Sequence, residues 1–265
     1  MRNFMSAENL ARSSAPAVVR ALRILELLAE ADDRMSLTRI AEELGLAKST
    51  AHHVLSALID RGWVERDPGS REVSLGLRAW EVGQGYDVAQ TLSQRARAFM
   101  DEIRDELGET VRLAVRSGSD QVCIAKSAGQ QKLVFDQRIG ARLPCHATGL
   151  GKALLSGLEP DEVKQMYAEG LEQFTETTII DVDELIENLA AAREAGFAED
   201  HGEYILGIRC VAVPVRSRDG RTIAALSVSG PTARFDDEHI ASCLEALRIG
   251  ADALSARLGD ETELR

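Results

Sequence analysis

Apolar residues recur at spacings of three and four in three segments near the start of the chain, residues 16–29, 37–44 and 51–59. This spacing puts the apolar side chains on one face, so each segment is predicted to be an amphipathic helix. Ser36 precedes the second segment as an N-cap would, and Gly45 follows it as a C-terminal stop would. Two short helices joined by a tight glycine turn predict a helix-turn-helix.

Two short alternating runs, residues 63–66 and 71–75, flank the turn residues Pro68 and Gly69 and predict a β-hairpin. A helix-turn-helix followed by a hairpin is a winged helix, although helix-turn-helix geometry also occurs in proteins that bind no DNA. The second helix of the motif, residues 47–60, carries polar side chains suited to base edges and phosphates. The expected DNA contacts are Arg39, Lys48, Ser49, Thr50, His52, His53, Arg66 and Arg71.

The pattern changes after residue 77, where Gly83 and Gly85 separate two helical pieces. Farther along, alternating runs predict strands at residues 110–116, 121–126, 132–137, 209–216 and 222–229. Helical spacing predicts helices at residues 92–107, 148–156, 161–167, 181–195 and 236–258. Antiparallel hairpins mixed with helices predict an α+β domain. The expected organisation is a winged helix-turn-helix at 15–77, a linker helix and hinge at 78–92, and a ligand domain at 93–260.

Charge first argues against nucleic-acid binding, because the 265 residues carry a formal net charge of −12. The charge is unevenly distributed, however. Residues 1–76 hold 10 Lys and Arg against 11 Asp and Glu, a net of −1, whereas residues 77–265 hold 21 against 32, a net of −11. The acidic excess therefore belongs to the second domain. The nearly neutral first domain can still gather its cations on one face.

Composition excludes several classes of protein. A hydrophobic content of 45% is too high for a disordered chain, and no apolar run is long enough to span a membrane. The polar N-terminus lacks the apolar core of a signal peptide, so the expected location is the cytoplasm. The cysteines Cys123, Cys145, Cys210 and Cys243 are widely separated, which argues against a disulfide framework or a zinc ribbon.

Several separated motifs resemble the IclR family of bacterial transcription regulators, in the family's order. They are VRALRIL at 19–25, LGLAKSTAH at 44–52, GWV at 62–64, LGLR at 75–78, HATGLGKA at 146–153, GIRCVAVPV at 207–215 and ALSVSGP at 225–231. The resemblance implies an N-terminal DNA-binding domain and a C-terminal GAF-like effector domain. It also implies dimers, formed through the N-terminal domains, that can pair into tetramers. The chain departs from the family at His53, where Arg is common, and at Gly202, where an acidic residue is common.

Two segments point to a ligand site in the second domain. Residues 140–151 run from a glycine-rich turn into a helix, where free backbone N–H groups could bind a carboxylate. Alternation puts Ser227 and Ser229 on one strand face, and Cys210 lies on the neighbouring strand, although each of the three also has a purely structural interpretation. The resemblance implies effector contacts at Gly149, Leu150, Asp200, Cys210, Ser227 and Ser229. Apolar walls are expected from Phe135, Leu143 and Ile208.

Enzyme chemistry is the competing interpretation. Cys145 and His146 are adjacent in sequence, but no nucleophile elbow, phosphate-binding loop or dinucleotide fingerprint is present. Cys145, His146, Asp200, His201 and Cys210 lack a recognised zinc spacing, so neither a metal nor a cofactor is expected.

The expected function is therefore a transcription regulator, not an enzyme, whose affinity for double-stranded operator DNA is controlled by a small-molecule effector. The expected effector is an organic acid of a catabolic pathway, and the expected assembly is a homodimer or a homotetramer without membrane association. The sequence leaves activation and repression both open. The alternative is a metabolite-processing enzyme that uses its helix-turn-helix only for dimerisation.

Overall fold

A computed structural model describes residues 15–130 and 137–258 of the chain. The chain divides into two compact units, Met1–Asp87 and Val88–Arg265. One helix, Asp87–Leu107, continues across the predicted boundary between the linker (78–92) and the ligand domain (93–260). Within the described residues, no helix is long and apolar enough to cross a membrane.

Residues 15–87 of the first unit contain four helices and a two-stranded hairpin. They are α1 (Pro16–Glu30), α2 (Leu37–Glu43), α3 (Lys48–Asp60), β1 (Val64–Arg66), β2 (Val73–Leu75) and α4 (Leu77–Gly83). The strands are antiparallel, with Val64 opposite Leu75. The predicted helix-turn-helix and wing are therefore confirmed.

Local signals explain where α2 and α3 meet. The backbone N–H of Arg39 donates to Ser36 Oγ at 3.2 Å, which confirms the predicted N-cap. Gly45 ends the turn at φ +63°, a left-handed conformation that glycine adopts without steric cost. An isolated antiparallel bridge joins Met35 to Val73, so the wing is tied to the segment that leads into α2.

In the part of the second unit that the structure describes, the strands form a six-stranded sheet. The elements of this unit are α5 (Asp87–Leu107), β3 (Val111–Ser117), β4 (Asp120–Ser127), β5 (Arg142–Pro144), α6 (Gly149–Leu155), α7 (Pro160–Met166), α8 (Val182–Ala195), β6 (Ala198–His201), β7 (Ile208–Arg216), β8 (Thr222–Pro231) and α9 (Asp237–Leu258). The strand order is β5-β4-β3-β8-β7-β6, and every neighbouring pair is antiparallel. The α+β class is confirmed.

The strands of the second unit were predicted in part. Both predicted hairpins are present, but the short strands β5 and β6 were not predicted. Of the strand expected at 132–137, residues 132–136 lie outside the described residues, and Gln137 belongs to no strand. Three- and four-residue strands are too short to show a period of two, so their presence depends on pairing with β4 and β7.

The two faces of the sheet pack against different helices. One face buries Val111, Leu113 and Leu226 in a core with α5 and α9. The opposite face presents the small side chains Ala114, Ala212 and Ala225 to α6. These alanines let α6 lie close to the sheet, and every residue of that helix is buried.

Gly151 shows how tightly α6 is packed. A Cβ added at this position would lie 2.1 Å from the Cα of Cys145, so only glycine fits. The glycines of the 140–151 segment thus include at least one that is required for helix packing, whatever the segment binds.

Candidate functional site

Helix α3 has one buried and one exposed face. Ala51, Leu55 and Leu58 are buried in the first unit. The predicted DNA contacts Lys48, Ser49, His52 and His53 are exposed on the other face, and Thr50 is half-buried. On α2, Arg39 is exposed, and its Nε lies 4.0 Å from Glu43 Oε1.

The wing carries two further exposed cations, Arg66 and Arg71. Asp67 organises its turn, because Asp67 Oδ1 accepts hydrogen bonds from the backbone N–H groups of Gly69 at 2.9 Å and Ser70 at 2.7 Å. These contacts, led by the Ser70 backbone, hold the pKa of the Asp67 carboxyl below its ordinary value. The turn places Arg71 at φ +62°, an uncommon conformation for a residue with a side chain.

The structure adds Arg34 to this surface. Arg34 is exposed and forms an ion pair with Asp67 of the wing. The two residues are 33 positions apart, so no local sequence pattern could have indicated the contact. With Arg39, Lys48, Arg66 and Arg71, it gives this unit a set of exposed cations on the helix-turn-helix and wing.

A cavity lies in the second unit, over the sheet face that α6 covers. Together with its open mouth it comprises about 550 Å³ of empty space. Eight of the nine predicted effector residues line it: Leu143, Gly149, Leu150, Asp200, Ile208, Cys210, Ser227 and Ser229. The ninth, Phe135, lies outside the described residues.

Strand pairing explains why these residues converge. Asp200 on β6 is opposite Cys210 on β7, and Cys210 is opposite Ser229 on β8. Ser227, two residues before Ser229, is opposite Arg112 on β3. Directly paired residues share a sheet face, so the polar side chains form a row across four adjacent strands. Residues distant in sequence thereby meet in one cavity.

Six lining residues were not predicted from the sequence: Arg112, Gln121, Gln137, Thr148, Tyr204 and Ile205. Arg112 is the most consequential, since its guanidinium is buried and its Nη1 donates to Ser229 Oγ at 2.9 Å. It alternates with the buried Val111 and Leu113, and that alternation indicates a solvent-facing position for the charged residue. Here the face opposite the core is covered by α6, so the arginine faces a cavity.

The start of α6 was expected to offer free backbone N–H groups, but one of them is already bonded within the protein. Thr148 caps the helix, with its Oγ1 accepting from the N–H of Gly151 at 3.2 Å and donating to the carbonyl of Pro144 at 2.8 Å. The helix has only seven residues. The formal positive charge in the cavity wall comes from Arg112.

Asp200 is the acidic group of the cavity. Burial raises the pKa of its carboxyl to about 7, because the charged form loses its hydration. Hydrogen bonds oppose this effect, and the backbone N–H of Glu203 donates to Asp200 Oδ1 at 2.7 Å. Near neutral pH, Asp200 therefore exists as a mixture of the acid and the carboxylate.

A buried ion pair holds the segment after β6. Lys152 Nζ on α6 lies 2.5 Å from Glu203 Oε1, and both side chains are almost fully buried. Thr178 Oγ1 donates to the carbonyl of Glu203 at 2.6 Å. The neighbouring residues Tyr204 and Ile205 line the cavity, so these contacts position part of its wall.

Cys145 and His146, the residues that suggested an enzyme, lie in surroundings typical of residues with a structural role. Burial raises the pKa of the Cys145 thiol well above its ordinary value, whereas a nucleophilic cysteine needs a lowered one. His146 Nε2 lies 2.9 Å from the carbonyl of Glu172, and burial lowers the pKa of its ring. Among residues 15–130 and 137–258, no three His, Cys, Asp or Glu side chains are grouped closely enough to hold a metal ion.

The chain thus combines a winged helix-turn-helix with an α+β unit whose cavity has largely apolar walls and a row of polar side chains. This combination is that of bacterial transcription regulators that sense a small molecule directly. Comparison with known proteins agrees at the level of the whole chain. Residues 17–68 match the IclR helix-turn-helix domain, and residues 85–256 match the bacterial transcriptional regulator IclR C-terminal domain. The chain belongs to the IclR family.

Similar proteins are named as regulators rather than enzymes. The HTH-type transcriptional regulator XynR of Escherichia coli K12 is 37% identical over 245 residues, 92% of this chain and 97% of its own. The HTH-type transcriptional repressor AllR of the same strain is 33% identical over 254 residues, covering 96% and 94% of the two chains. The enzyme alternative is therefore not supported, and the protein is a DNA-binding transcription regulator with an effector site.

A solved structure extends the similarity to the fold. The crystal structure of an IclR homolog complexed with 4-hydroxybenzoate, from Microbacterium hydrocarbonoxydans, superposes with a TM-score of 0.79 at 28% identity. The match covers 91% of this chain and 98% of that one. The sequence-based identification of family, fold class and regulator function is confirmed.

Proposed function

We propose that this regulator is a repressor whose operator affinity is controlled by a small organic acid bound in the cavity of the second unit. Arg112 carries the proposal, because its buried guanidinium lies in the cavity wall beside Ser229. A guanidinium is well suited to hold a carboxylate through paired, charge-assisted hydrogen bonds. The partly protonated Asp200 lowers the repulsion that a second carboxylate would otherwise cause.

The names of similar proteins support the two parts of this proposal. AllR is named a repressor, and the Microbacterium homolog was solved with 4-hydroxybenzoate, an aromatic carboxylic acid. An acid can regulate DNA binding only if it binds one state of the regulator more tightly than the other. We therefore expect the effector and the operator to change each other's affinity by the same factor.

We propose that DNA is contacted by Arg39, Lys48, Ser49, Thr50, His52, His53, Arg66 and Arg71, with α3 in the major groove. The test uses duplexes selected from a random pool by the purified protein, with binding measured by fluorescence anisotropy. Lys48→Ala and His52→Ala should each weaken binding about 5- to 100-fold, the usual range for lost phosphate or base contacts. Lys164→Ala, an exposed cation of the second unit, is the matched control.

The salt dependence of binding gives a second measurement on the same variants. Removing a lysine that contacts a phosphate lowers the slope of log K against log salt by about one. An unchanged affinity and slope for Lys48→Ala would remove α3 from the interface.

The effector is tested by a thermal-shift screen of carboxylic acids, because a ligand that binds only the folded state raises Tm. Arg112→Lys and Arg112→Gln should reduce the shift, with Lys retaining more of it because it keeps the charge. Circular dichroism checks that both variants fold. If no acid changes Tm, or if a binding acid leaves operator affinity unaltered, the proposed control by an organic acid is wrong.

We also propose that the protein acts in the cytoplasm as a homodimer, or as a homotetramer built from dimers. Large apolar side chains are exposed in the first unit on α1 at Val18 and Leu22, and on α4 at Leu77, Trp80 and Val82. Where such side chains form a contiguous patch, they mark an interaction surface. Light scattering after size exclusion measures the mass directly. Half-sites about 34 Å apart, or a multiple of it, are expected in the operator of a two-fold dimer.

A further inference from the structure

Gln121 is a buried polar residue in the wall of the effector cavity. It lies on β4 opposite Leu143 of β5, which also lines the cavity, and only 1% of its surface is exposed. It is also opposite Arg116 on β3, four residues beyond Arg112. At about 3.3 Å per residue, the two positions are separated by roughly 13 Å along that strand. Gln121 and Arg112 therefore approach the cavity from backbone positions that are well separated along the sheet.

The neighbouring hydrogen bonds fix the orientation of the Gln121 amide. Gln137 Nε2 donates to the carbonyl of Ala141 at 3.3 Å, and a carbonyl can only accept. Gln137 therefore turns its Oε1 towards Gln121, whose Nε2 donates to it at 3.5 Å. The Oε1 of Gln121 is consequently the atom left over. It is buried and accepts no hydrogen bond from any residue that the structure describes.

A buried acceptor without a donor is unfavourable, and such atoms in folded proteins call for an explanation. A ligand that supplies an O–H or N–H group would satisfy it. A carboxylate could not, since its oxygens are also acceptors and would repel the carbonyl oxygen of Gln121. The cavity thus has one end suited to an anion, at Arg112 and Ser229, and one end suited to a donor.

We propose that Gln121 is a specificity-determining residue that selects an effector carrying a hydroxyl or N–H donor at the end remote from its carboxylate. This inference rests on the proposed function, since it names the chemical class of acid that the same cavity takes. The Gln137–Gln121 contact orders the acceptor before the ligand arrives. An acid that lacks the donor fills the cavity but leaves the Gln121 oxygen without a partner, and that difference produces discrimination.

The experiment compares matched acids by thermal shift and isothermal calorimetry on the full-length protein. One set is 4-hydroxybenzoate, benzoate and 4-methoxybenzoate, of which only the first has a distal donor. A second set is 6-hydroxyhexanoate, 6-ureidohexanoate and hexanoate, where only the last lacks a donor. In whichever set binds more tightly, the donor-bearing acids should bind about 10- to 100-fold more tightly than those without. Equal or reversed affinities would overturn the inference.

Substitution of Gln121 tests the assignment to this residue. Gln121→Met keeps the length of the side chain but removes its acceptor, so the ratio of affinities for the paired acids should fall towards one. Gln94→Met, on an exposed position of α5, is the matched control and should keep the ratio. A purely structural role for Gln121 would weaken both acids together and leave the ratio unchanged. If Gln121→Met does not fold, the wild-type ratios still test the donor preference, and equal affinities for the paired acids would overturn the inference.

The outcomes separate this inference from the proposed function. Acids that bind through Arg112 without preference for the donor contradict only the role of Gln121. A donor preference that persists in Gln121→Met contradicts the role of this residue while the proposed effector site stands. Failure of every acid to bind would contradict the proposed function, and the inference would fall with it.

Discussion

Replacement of Asp200 by asparagine tests the electrostatics of the cavity through stability alone, without an effector. Burial raises the pKa of this carboxyl from 3.8 to about 7, so the folded protein keeps a proton that the unfolded chain releases. Glu203, Lys152 and Cys210 are the titratable groups that act on it, and of these only Lys152 favours its charged form. The stability supported by the protonated carboxyl is fully present below about pH 4 and is lost as pH rises through about 7.

The magnitude follows from linkage. Each unit of pKa difference is worth about 1.4 kcal/mol, so the whole window of about three units amounts to roughly 4 kcal/mol. Measurements near the isoelectric point of about 5.0 risk precipitation. Between about pH 5.5 and pH 8.5, the same relation leaves a loss of about 2 kcal/mol in the free energy of unfolding. Asp200→Asn cannot titrate, and its amide oxygen can still accept from the Glu203 N–H.

The assay is urea unfolding followed by far-ultraviolet circular dichroism at several pH values and one protein concentration. The free energy of unfolding of the wild type, minus that of Asp200→Asn, should fall by about 2 kcal/mol from the lowest to the highest pH of that range. Asp252→Asn, at an exposed position of α9, is the control and should give a flat difference. Both tryptophans lie in the first unit, so tryptophan fluorescence reports the unfolding of residues 1–87 separately. If the difference in free energy of unfolding between wild type and Asp200→Asn does not change with pH, the raised pKa of Asp200 is refuted.

Three further substitutions have expected outcomes that urea unfolding can measure. Lys152→Met leaves the Glu203 carboxylate buried without its partner and should cost about 3–5 kcal/mol, whereas the pair Lys152→Met with Glu203→Leu should cost less. Gly151→Ala adds a Cβ that would lie 2.1 Å from the Cα of Cys145, so a loss of roughly 1–3 kcal/mol or more is expected. Arg71→Gly relieves a left-handed backbone conformation and should raise stability by up to about 1 kcal/mol while weakening operator binding. A fall in stability with Arg71→Gly would show that its side-chain contacts outweigh the strain.

The sequence was most informative where a signal is local. Helical spacing located α1, α2 and α3, and the Ser36 cap and Gly45 turn are determined by residues within a few positions of each other. The same holds for the two long hairpins, whose alternating runs extend over several residues. The short strands β5 and β6 could not be predicted, because three or four residues form a strand only when a longer neighbour supplies the hydrogen bonds.

The cavity was predictable only in part, for a related reason. Family motifs indicated Gly149, Asp200, Cys210 and the two serines, and the register of the sheet brings them together. Arg112 was missed because a polar residue that alternates with buried apolar ones looks the same whether it faces solvent or a covered cavity. Gln121 was missed because it follows Asp120 where β4 begins, and two polar residues in succession resemble an exposed strand end. Nothing near them in sequence reveals that α6 covers this face, and that depends on contacts across the whole sheet.

The separation of the two sheet faces has a consequence for how this family can diversify. Residues that hold the second unit together, such as Leu113 and Leu226, point to one side, and residues that line the cavity, such as Arg112 and Ser227, point to the other. Because neighbours along a strand alternate, one codon can alter recognition while the adjacent codon continues to maintain the core. New effectors can therefore be acquired by single changes that the scaffold tolerates, with the DNA-binding unit left unaltered.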